Sequence, residues 1–276
     1  MTQPTVTFIG GGNMARAIYG GLLYNGFSAT NLSVVDPSAA AQDNARRAGI
    51  EHIFDSAPGE ALLADLIVLA IKPQITKAAL QPLAGQLGTH SLVLSIVAGI
   101  NAESLAALLG LSDTGHIIRC MPNTPALVGE GMTGLFASRE AGSAEGKALA
   151  ERVMSSVGQC VWVENESDLD VVTAISGSGP AYFFLFIESL TDAAIALGMN
   201  GESARKLALQ TALGASRLAS LSSEDAATLR KNVTSPGGTT EQAIQAFEAA
   251  DIRGIVAQAT QAAARRSLEL SKEFGA

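Results

Sequence analysis

The stretch Phe8-Ile9-Gly10-Gly11-Gly12-Asn13-Met14-Ala15 decides how the first half of the chain folds. Before it, Thr5 to Gly10 is a short apolar run ending in glycines. After it, Met14 to Asn25 has helical spacing and stops before Gly26. A strand that turns through G-x-G-x-x-A into a helix is the opening unit of a dinucleotide-binding sheet. Gly10 permits the tight turn, Gly12 lets the backbone approach a pyrophosphate, and Ala15 allows close helix–sheet contact. With Gly11, Asn13 and Met14, they set N–H groups and the positive end of a helix where phosphates bind. A glycine turn without a ligand is the bland alternative; the strand–turn–helix context weighs against it.

Working outward, Leu32 to Asp36 reads as a second strand ended by Pro37, and Ala39 to Ala48 as a helix stopping at Gly49. Leu66 to Ile71, taken as the fourth strand, is nearly all apolar, as a strand buried on both faces must be. Ser91 to Ala98 and Ile117 to Cys120 repeat the pattern, with Met132 to Ala137 and Cys160 to Val163 as later strands. Strands alternating with helices imply right-handed crossovers and a parallel sheet. After Glu164 the strand signals stop. Helical patterns follow at 180–197, 203–219, 224–233, 239–249 and 252–273. The expected fold is α/β: a Rossmann-type doubly wound sheet over 1–164, then an all-helical domain over 165–276. Those five helices carry more apolar surface than one small domain covers, which points to burial against a second copy of the chain.

Composition narrows the function. Of 276 residues, 47% are hydrophobic and 16% charged, so a packed globular protein is expected. A formal net charge of −8 without a basic run argues against nucleic acid. Anion binding must then rely on local donors. Cys120 and Cys160 lack metal-ligand spacing and read as reduced thiols of a cytoplasmic protein, with no metal expected. Met1-Thr2-Gln3-Pro4 lacks the basic flank of a signal peptide. The longest apolar runs fall short of the roughly 18 residues a membrane helix needs.

An acid about 20 residues past the glycine motif is where the adenosine ribose is read. Asp36 stands there. Its carboxylate accepts from ribose hydroxyls and repels a 2′-phosphate, which favours NADH; a strand-end Asp-Pro turn is the structural alternative. Ser38, Arg46 and Arg47 lie near enough to keep NADPH open. Ala70-Ile71-Lys72-Pro73 ends the fourth strand, and Ser95 to Gly99, with Ala98, ends the next. Loops at the carboxyl ends of parallel strands line the ligand crevice. Lys72 reads equally as a solvated side chain before a proline turn.

Three further motifs are more specific: Ile118-Arg119-Cys120-Met121-Pro122-Asn123-Thr124-Pro125-Ala126, Ser176-Gly177-Ser178-Gly179-Pro180-Ala181-Tyr182, and Val233-Thr234-Ser235-Pro236-Gly237-Gly238-Thr239-Thr240. The last offers two bare glycines and hydroxyls at a helix start, where N–H groups can grip a carboxylate. Thr239-Thr240-Glu241-Gln242 also fits a capping box, with Thr239 as the cap. Ser-Gly-Ser-Gly-Pro reads as an N-cap with proline in the first turn, opening the long helix of the second domain. The prolines around Asn123 force an extended loop. Asn123 either bonds the cofactor or holds the turn.

Together with Ala70-Ile71-Lys72-Pro73, in this order, the three motifs closely resemble the pyrroline-5-carboxylate reductases, from the first strand to the last helix. The resemblance implies hydride transfer from a nicotinamide dinucleotide to the C=N bond of 1-pyrroline-5-carboxylate, giving L-proline. It assigns the ring-nitrogen contact to Thr240, and the surrounding substrate site to Val233, Ser235, Gly237, Gly238 and Thr239. It also implies an interlocked homodimer, often built into a larger ring, in which Thr240 of one chain serves the cofactor of the other. A protonated imine is already a good electrophile, so a strong acid is not required. None of His52, His90 and His116 lies in a motif, consistent with catalysis by positioning and exclusion of water.

Two positions depart from the family pattern. Members preferring NADPH carry a small hydroxyl residue where Asp36 stands, and some have Asn near the adenosine where this chain has Ala57. Two rival readings remain at this level. A related reductase of 3-hydroxy acids or other cyclic imines would rest on a catalytic lysine, for which Lys231, beside Asn232, is the nearest candidate. A non-catalytic dinucleotide sensor would not need the Ser-Pro-Gly-Gly-Thr-Thr turn.

Overall fold

The structure, a computed structural model, describes residues 3–138 and 142–274. It divides into two compact units, 1–178 with 263–276, and 179–262.

The first unit is built on an eight-stranded sheet. Its strands are β1 (Val6–Ile9), β2 (Leu32–Val35), β3 (His52–Phe54), β4 (Leu66–Leu69), β5 (Leu92–Ser95), β6 (Ile117–Met121), β7 (Gly131–Ala137) and β8 (Gly158–Trp162), in the order β3-β2-β1-β4-β5-β6-β7-β8. Chain direction from β1 leads first to one side of the sheet and then to the other, so the switch point lies between β1 and β4. The registers Ile9↔Val35, Ile9↔Leu69, Leu69↔Ser95 and Ser95↔Arg119 bring the carboxyl ends of five strands to one edge. Every residue of β1, β4 and β5 is buried, which matches the unbroken apolar run of β4 and the largely apolar β1 and β5, where Thr7 and Ser95 are the polar members.

The sheet departs from all-parallel at one place. β7 runs antiparallel to β6, pairing Cys120 with Leu135, and β8 then returns parallel to β7. The link from β6 to β7 carries only a short helical turn at Thr124–Val128, too little for a crossover, so an antiparallel return is the geometry available. β3 has no apolar run to mark it in sequence; it is a three-residue edge strand with an exposed His52.

Helices α1 (Asn13–Tyr24), α2 (Ala39–Arg47), α3 (Pro73–Leu80), α4 (Ala102–Leu109) and α5 (Ala144–Met154) connect the strands. One apolar cluster joins α1 and α5 to the sheet through Phe8, Ile18, Tyr19, Leu22, Leu94, Val153 and Met154. A second joins α4 through Ile67, Leu69, Val93, Leu105 and Leu109. Tyr19 meets Phe8 edge-on at 5.9 Å.

Past the sheet, α6 (Asp168–Val172) runs through a π-helical turn, Thr173–Gly177, toward α7 (Gly179–Ala196). Ser-Gly-Ser-Gly-Pro spans the junction: Ser178 is a bend after the π-turn, and α7 opens at Gly179 with Pro180 in its first turn, as the motif predicts, within a nearly continuous helical run, 168–196. Ser178 N–H reaches back five residues to Thr173 O at 2.8 Å, and this widened turn carries the helix up to Pro180. The same run, with an 18-residue window of mean hydropathy 1.3, is apolar enough to cross a membrane by length and composition. Counting consecutive apolar residues misses this, because Ser, Thr and acidic residues interrupt the run without lowering its mean enough.

The second unit holds α7, α8 (Gly201–Leu221), α9 (Ala226–Asn232), α10 (Thr239–Ala249) and the first part of α11 (Ile252–Phe274). Asn200 caps α8 through Ser203 N–H, and Asp225 caps α9 through Thr228 N–H. Hydrogen bonding from Thr228, its backbone N–H first, holds the Asp225 carboxyl below its ordinary range. Ala204 and Ala208 of α8 are buried, but Phe183, Phe184 and Leu185 on α7 are 63%, 64% and 63% exposed, apolar surface this chain leaves uncovered.

Candidate functional site: a dinucleotide cleft and a helix-start turn

The cleft in the first unit begins at Gly10. With φ +100°, its backbone sits where a side chain is strained, and a Cβ there would lie 2.5 Å from Ala70 O. Gly10 N–H donates to Val35 O at 2.8 Å and Ala70 N–H to Ile9 O at 2.8 Å, so the turn is stitched to both neighbouring strands. Gly12 differs: a Cβ built on it meets nothing within 4 Å. It is the N-cap of α1, no side chain caps that helix, and no acid stands in its first turn. A bare Cα at the edge of open space, leading into an uncapped helix start, is what an approaching pyrophosphate requires. These residues fit a dinucleotide. Asn13 is exposed and Met14 half-buried beside them.

Asp36 lies one residue past β2, half-buried. Its Oδ2 accepts from Gly11 N–H at 2.7 Å and its Oδ1 from Ser38 N–H at 2.8 Å. The carboxylate is thus part of the turn as well as a candidate ribose ligand; each oxygen keeps a lone pair for a ribose hydroxyl. Arg46 is engaged with Asp43 at 2.7 Å and with Gln42 at 3.1 Å, on the exposed side of α2.

Along the same edge, Ala70 and Ile71 follow β4, with Lys72 exposed as the N-cap of α3 and Pro73 at its first position. Thr76 Oγ1 donates to Lys72 O at 3.0 Å. Ala98 lies in the loop after β5 and is half-buried. Of the two roles open to Asn123, the structure displays the turn-holding one. Its Nδ2 donates to Ser176 O at 3.0 Å and its Oδ1 accepts from Met132 N–H at 2.9 Å, with the residue only 9% exposed. Ser176 O is the carbonyl four residues before Pro180, which has no N–H to offer it. The Asn123 amide supplies a donor there and ties the Met-Pro-Asn-Thr-Pro loop to the Ser-Gly-Ser-Gly-Pro turn.

The second candidate element is the turn before α10, in the other unit. The N-cap is Gly238, not Thr239, and no side chain caps the helix. The capping box expected from sequence is replaced by a longer reach: Glu241 Oε2 accepts from Gly237 N–H at 2.7 Å. Gly238, extended at φ −83° and ψ 169°, occupies the cap position, which places Thr239 in the first turn. Gly238 N–H donates to Ser235 O at 3.0 Å. The amides of both glycines are therefore engaged internally, and the helix start presents its first-turn N–H groups at Thr239 and Thr240. Among the described residues, neither threonine hydroxyl makes a side-chain hydrogen bond to the protein. Ser235 and Val233 are exposed, and Thr240 is half-buried. Asn232, beside Lys231, donates to Glu224 at 3.0 Å.

One polar cluster has no sequence signal. Glu166 Oε1 accepts from Ala102 N–H at 2.7 Å and from Arg119 Nη1 at 2.9 Å. Arg119 precedes the Met-Pro-Asn-Thr-Pro loop and has no role assigned by its sequence, and Glu166 sits in a connecting segment where an acid reads as solvated.

Comparison with known proteins agrees with this geometry. A family model described as pyrroline-5-carboxylate reductase dimerisation matches residues 166–270, and one described as NADP oxidoreductase, coenzyme F420-dependent, matches residues 5–99. The chain is 45% identical to a pyrroline-5-carboxylate reductase of Pseudomonas aeruginosa, with all of both chains covered. It is 38% identical to that of Synechocystis over 96% of this chain and 97% of the other. Among solved structures, a pyrroline-5-carboxylate reductase from Coxiella burnetii superposes with a TM-score of 0.90 at 40% identity, covering 98% of this chain and 99% of that one. The Plasmodium falciparum pyrroline carboxylate reductase with NADP bound gives 0.82 at 30% identity, covering 98% and 99%. By its motifs, its sheet and its full-length identity to these relatives, the chain belongs to the pyrroline-5-carboxylate reductase family.

Proposed function

We propose that this protein reduces the C=N bond of 1-pyrroline-5-carboxylate to give L-proline, using the residues described above. Residues 1–164 hold the dinucleotide, and residues 165–276 supply the substrate turn and the dimer surface. When bound, the reduced nicotinamide dinucleotide supplies a hydride; the C=N carbon gains it, and the π pair passes to the ring nitrogen, which carries a proton.

The chain's own residues do the rest by positioning. Gly10, Gly11, Gly12, Asn13 and Met14 receive the pyrophosphate on backbone N–H groups at the start of α1. Ala70, Ile71, Lys72, Pro73 and Ala98 form the rim along which the nicotinamide half extends, with Asn123 bracing it from behind. The first-turn amides of α10, with Ser235 and the glycine turn shaping the approach, grip the substrate carboxylate without a cationic side chain. Thr240 Oγ1 holds the ring nitrogen, and Val233 and Thr239 border the ring.

The observation that carries this reading is the uncapped start of α10, where two hydroxyl residues without side-chain hydrogen bonds follow a bare Gly-Gly pair. A helix start left open this way receives an anion. NADH is the preferred cofactor on the strength of Asp36, whose carboxylate faces a 2′-phosphate unfavourably. The working assembly is a homo-oligomer, a ring of dimers in its fullest form, and its setting is the cytoplasm. The test is to mix purified protein with pyrroline-5-carboxylate and follow oxidation of NADH and NADPH in parallel. Oxidation of neither would end the reading.

A further inference from the structure

We infer that Glu166 is a positioning residue for hydride transfer: it ties the start of α4 to β6 and so sets the two loops on the nicotinamide side of the cleft. The inference rests on the functional reading above and goes past it to a residue outside every motif.

A single carboxylate oxygen, Glu166 Oε1, takes both the Ala102 N–H at 2.7 Å and the Arg119 Nη1 at 2.9 Å. Ala102 is the first residue of α4, immediately after the loop 96–101 that carries Ala98. Arg119 lies in β6, which leads two residues later into the loop of Asn123. The bond therefore spans the roots of two adjacent rim loops. The site is sheltered: the Arg119 side chain is 12% exposed and that of Glu166 29%, and Arg119 Nε is buried without a partner. An anion at the positive end of α4 is favourable there, and a charge-assisted bond to guanidinium fixes its direction.

Other contacts brace the same two loops. Gly99, in the first loop, packs against Leu270 and Phe274 near the end of α11, where a Cβ on it would come within 3.4 Å of the Leu270 backbone. Ser267 donates to Asp170 at 2.6 Å, holding that end of α11 to α6, the helix Glu166 precedes. In the second loop, Asn123 is tied to Ser176 on the π-turn of the same helical run. Glu166 is the member of this frame that contacts strand and helix at once. The adenosine half of the cleft, at Gly12 and Asp36, lies on the other side of β1 and contains no part of it.

The placement makes a specific demand: loosening Glu166 must harm the nicotinamide half and spare the adenosine half. Glu166→Gln keeps the shape and removes the charge; Arg119→Lys keeps the charge and removes the planar donor. In the full-length protein, kcat should fall about ten- to a hundred-fold in Glu166→Gln, the scale of a small misplacement of reacting groups. Affinity for NAD+ should fall several-fold, while affinity for ADP-ribose, which lacks the nicotinamide, stays within twofold of the starting protein. Arg119→Lys should show the same split to a lesser degree, and it serves if Glu166→Gln does not fold. The inference is overturned if kcat is unchanged in a folded variant, or if ADP-ribose affinity falls in step with kcat. Should the unaltered protein reduce no pyrroline-5-carboxylate, the functional reading fails, while the contrast between ADP-ribose and NAD+ binding still judges the strut.

Discussion

Asp36 Oδ2 accepts the Gly11 N–H at 2.7 Å, so the acid at the end of the second strand holds the glycine turn it stands beside. The side chain that shapes the glycine turn is thus also the proposed ribose ligand. In that proposed role, cofactor choice is coupled to loop stability at this residue. Replacing Asp36 by Ser removes the charge that opposes a 2′-phosphate and leaves a shorter acceptor near Gly11. The ratio of kcat/KM for NADPH to that for NADH should rise by about tenfold or more, and stability should fall by about 1 kcal/mol for the weakened loop bond. Parallel assays with both cofactors and a thermal melt read the two effects; an unchanged ratio would mean that selectivity lies elsewhere.

Gly10 and Gly12 separate folding from binding. Gly10→Ala forces a Cβ onto Ala70 O at a positive φ, so its melting temperature should drop sharply, with a loss of at least about 2 kcal/mol. Gly12→Ala has open space for its methyl group and should melt like the parent while losing most dinucleotide affinity. Calorimetric melts and cofactor titrations of both variants check the contrast, and equal melts would refute it.

Thr239 and Thr240 should behave differently although they are adjacent. Because Gly238 is the N-cap, Thr239→Ala costs less than the ~1 kcal/mol expected for a lost capping residue. Thr240→Ala should lower kcat/KM for the imine by about a hundredfold, in the range of a lost positioned donor. Lys231→Ala should retain most activity. Should Lys231→Ala be dead and Thr240→Ala active, the hydroxy-acid reading takes precedence.

The two thiols differ in burial. Cys120 is fully enclosed in the sheet core and burial pushes its pKa up strongly; Cys160 is half-buried and shifted the same way. A raised folded pKa means the contribution to stability is complete below the ordinary thiol pKa and is lost as pH rises above it, when the unfolded chain releases the proton first. Stability should therefore decline above about pH 9. At pH 8, iodoacetamide should label the native protein slowly and at Cys160, with Cys120 modified only after unfolding. Peptide mass spectrometry distinguishes the sites, and early labelling of Cys120 would contradict this packing.

Phe183, Phe184 and Leu185 are exposed apolar residues within the segment matched by the dimerisation model. A carboxylate there cannot be buried cheaply. Leu185→Glu should shift the protein to a smaller species by analytical ultracentrifugation and lower its activity. An unchanged sedimentation coefficient would place the interface elsewhere.

Much of this molecule is legible along the chain itself. Local rules governed those parts: Gly10 to Ala15 announce a βα turn by their spacing, and the unbroken apolar run at Leu66 to Leu69 announces a strand covered on both faces. The helix bounded by Thr239 and Ala249 could likewise be read directly. What tertiary structure alone decided are the relations between residues far apart in sequence. No periodicity shows that β7 turns back against β6, that Asn123 serves the carbonyl four residues before Pro180, or that Gly238 displaces Thr239 as the cap. Nor could Glu166 be found, because an acid in a connecting segment acquires a role only when folding brings Ala102 and Arg119, 64 and 47 residues away, to the same carboxylate oxygen. Propensity and hydrophobic pattern act between near neighbours, whereas hydrogen bonds across the sheet depend on where the whole chain has already gone.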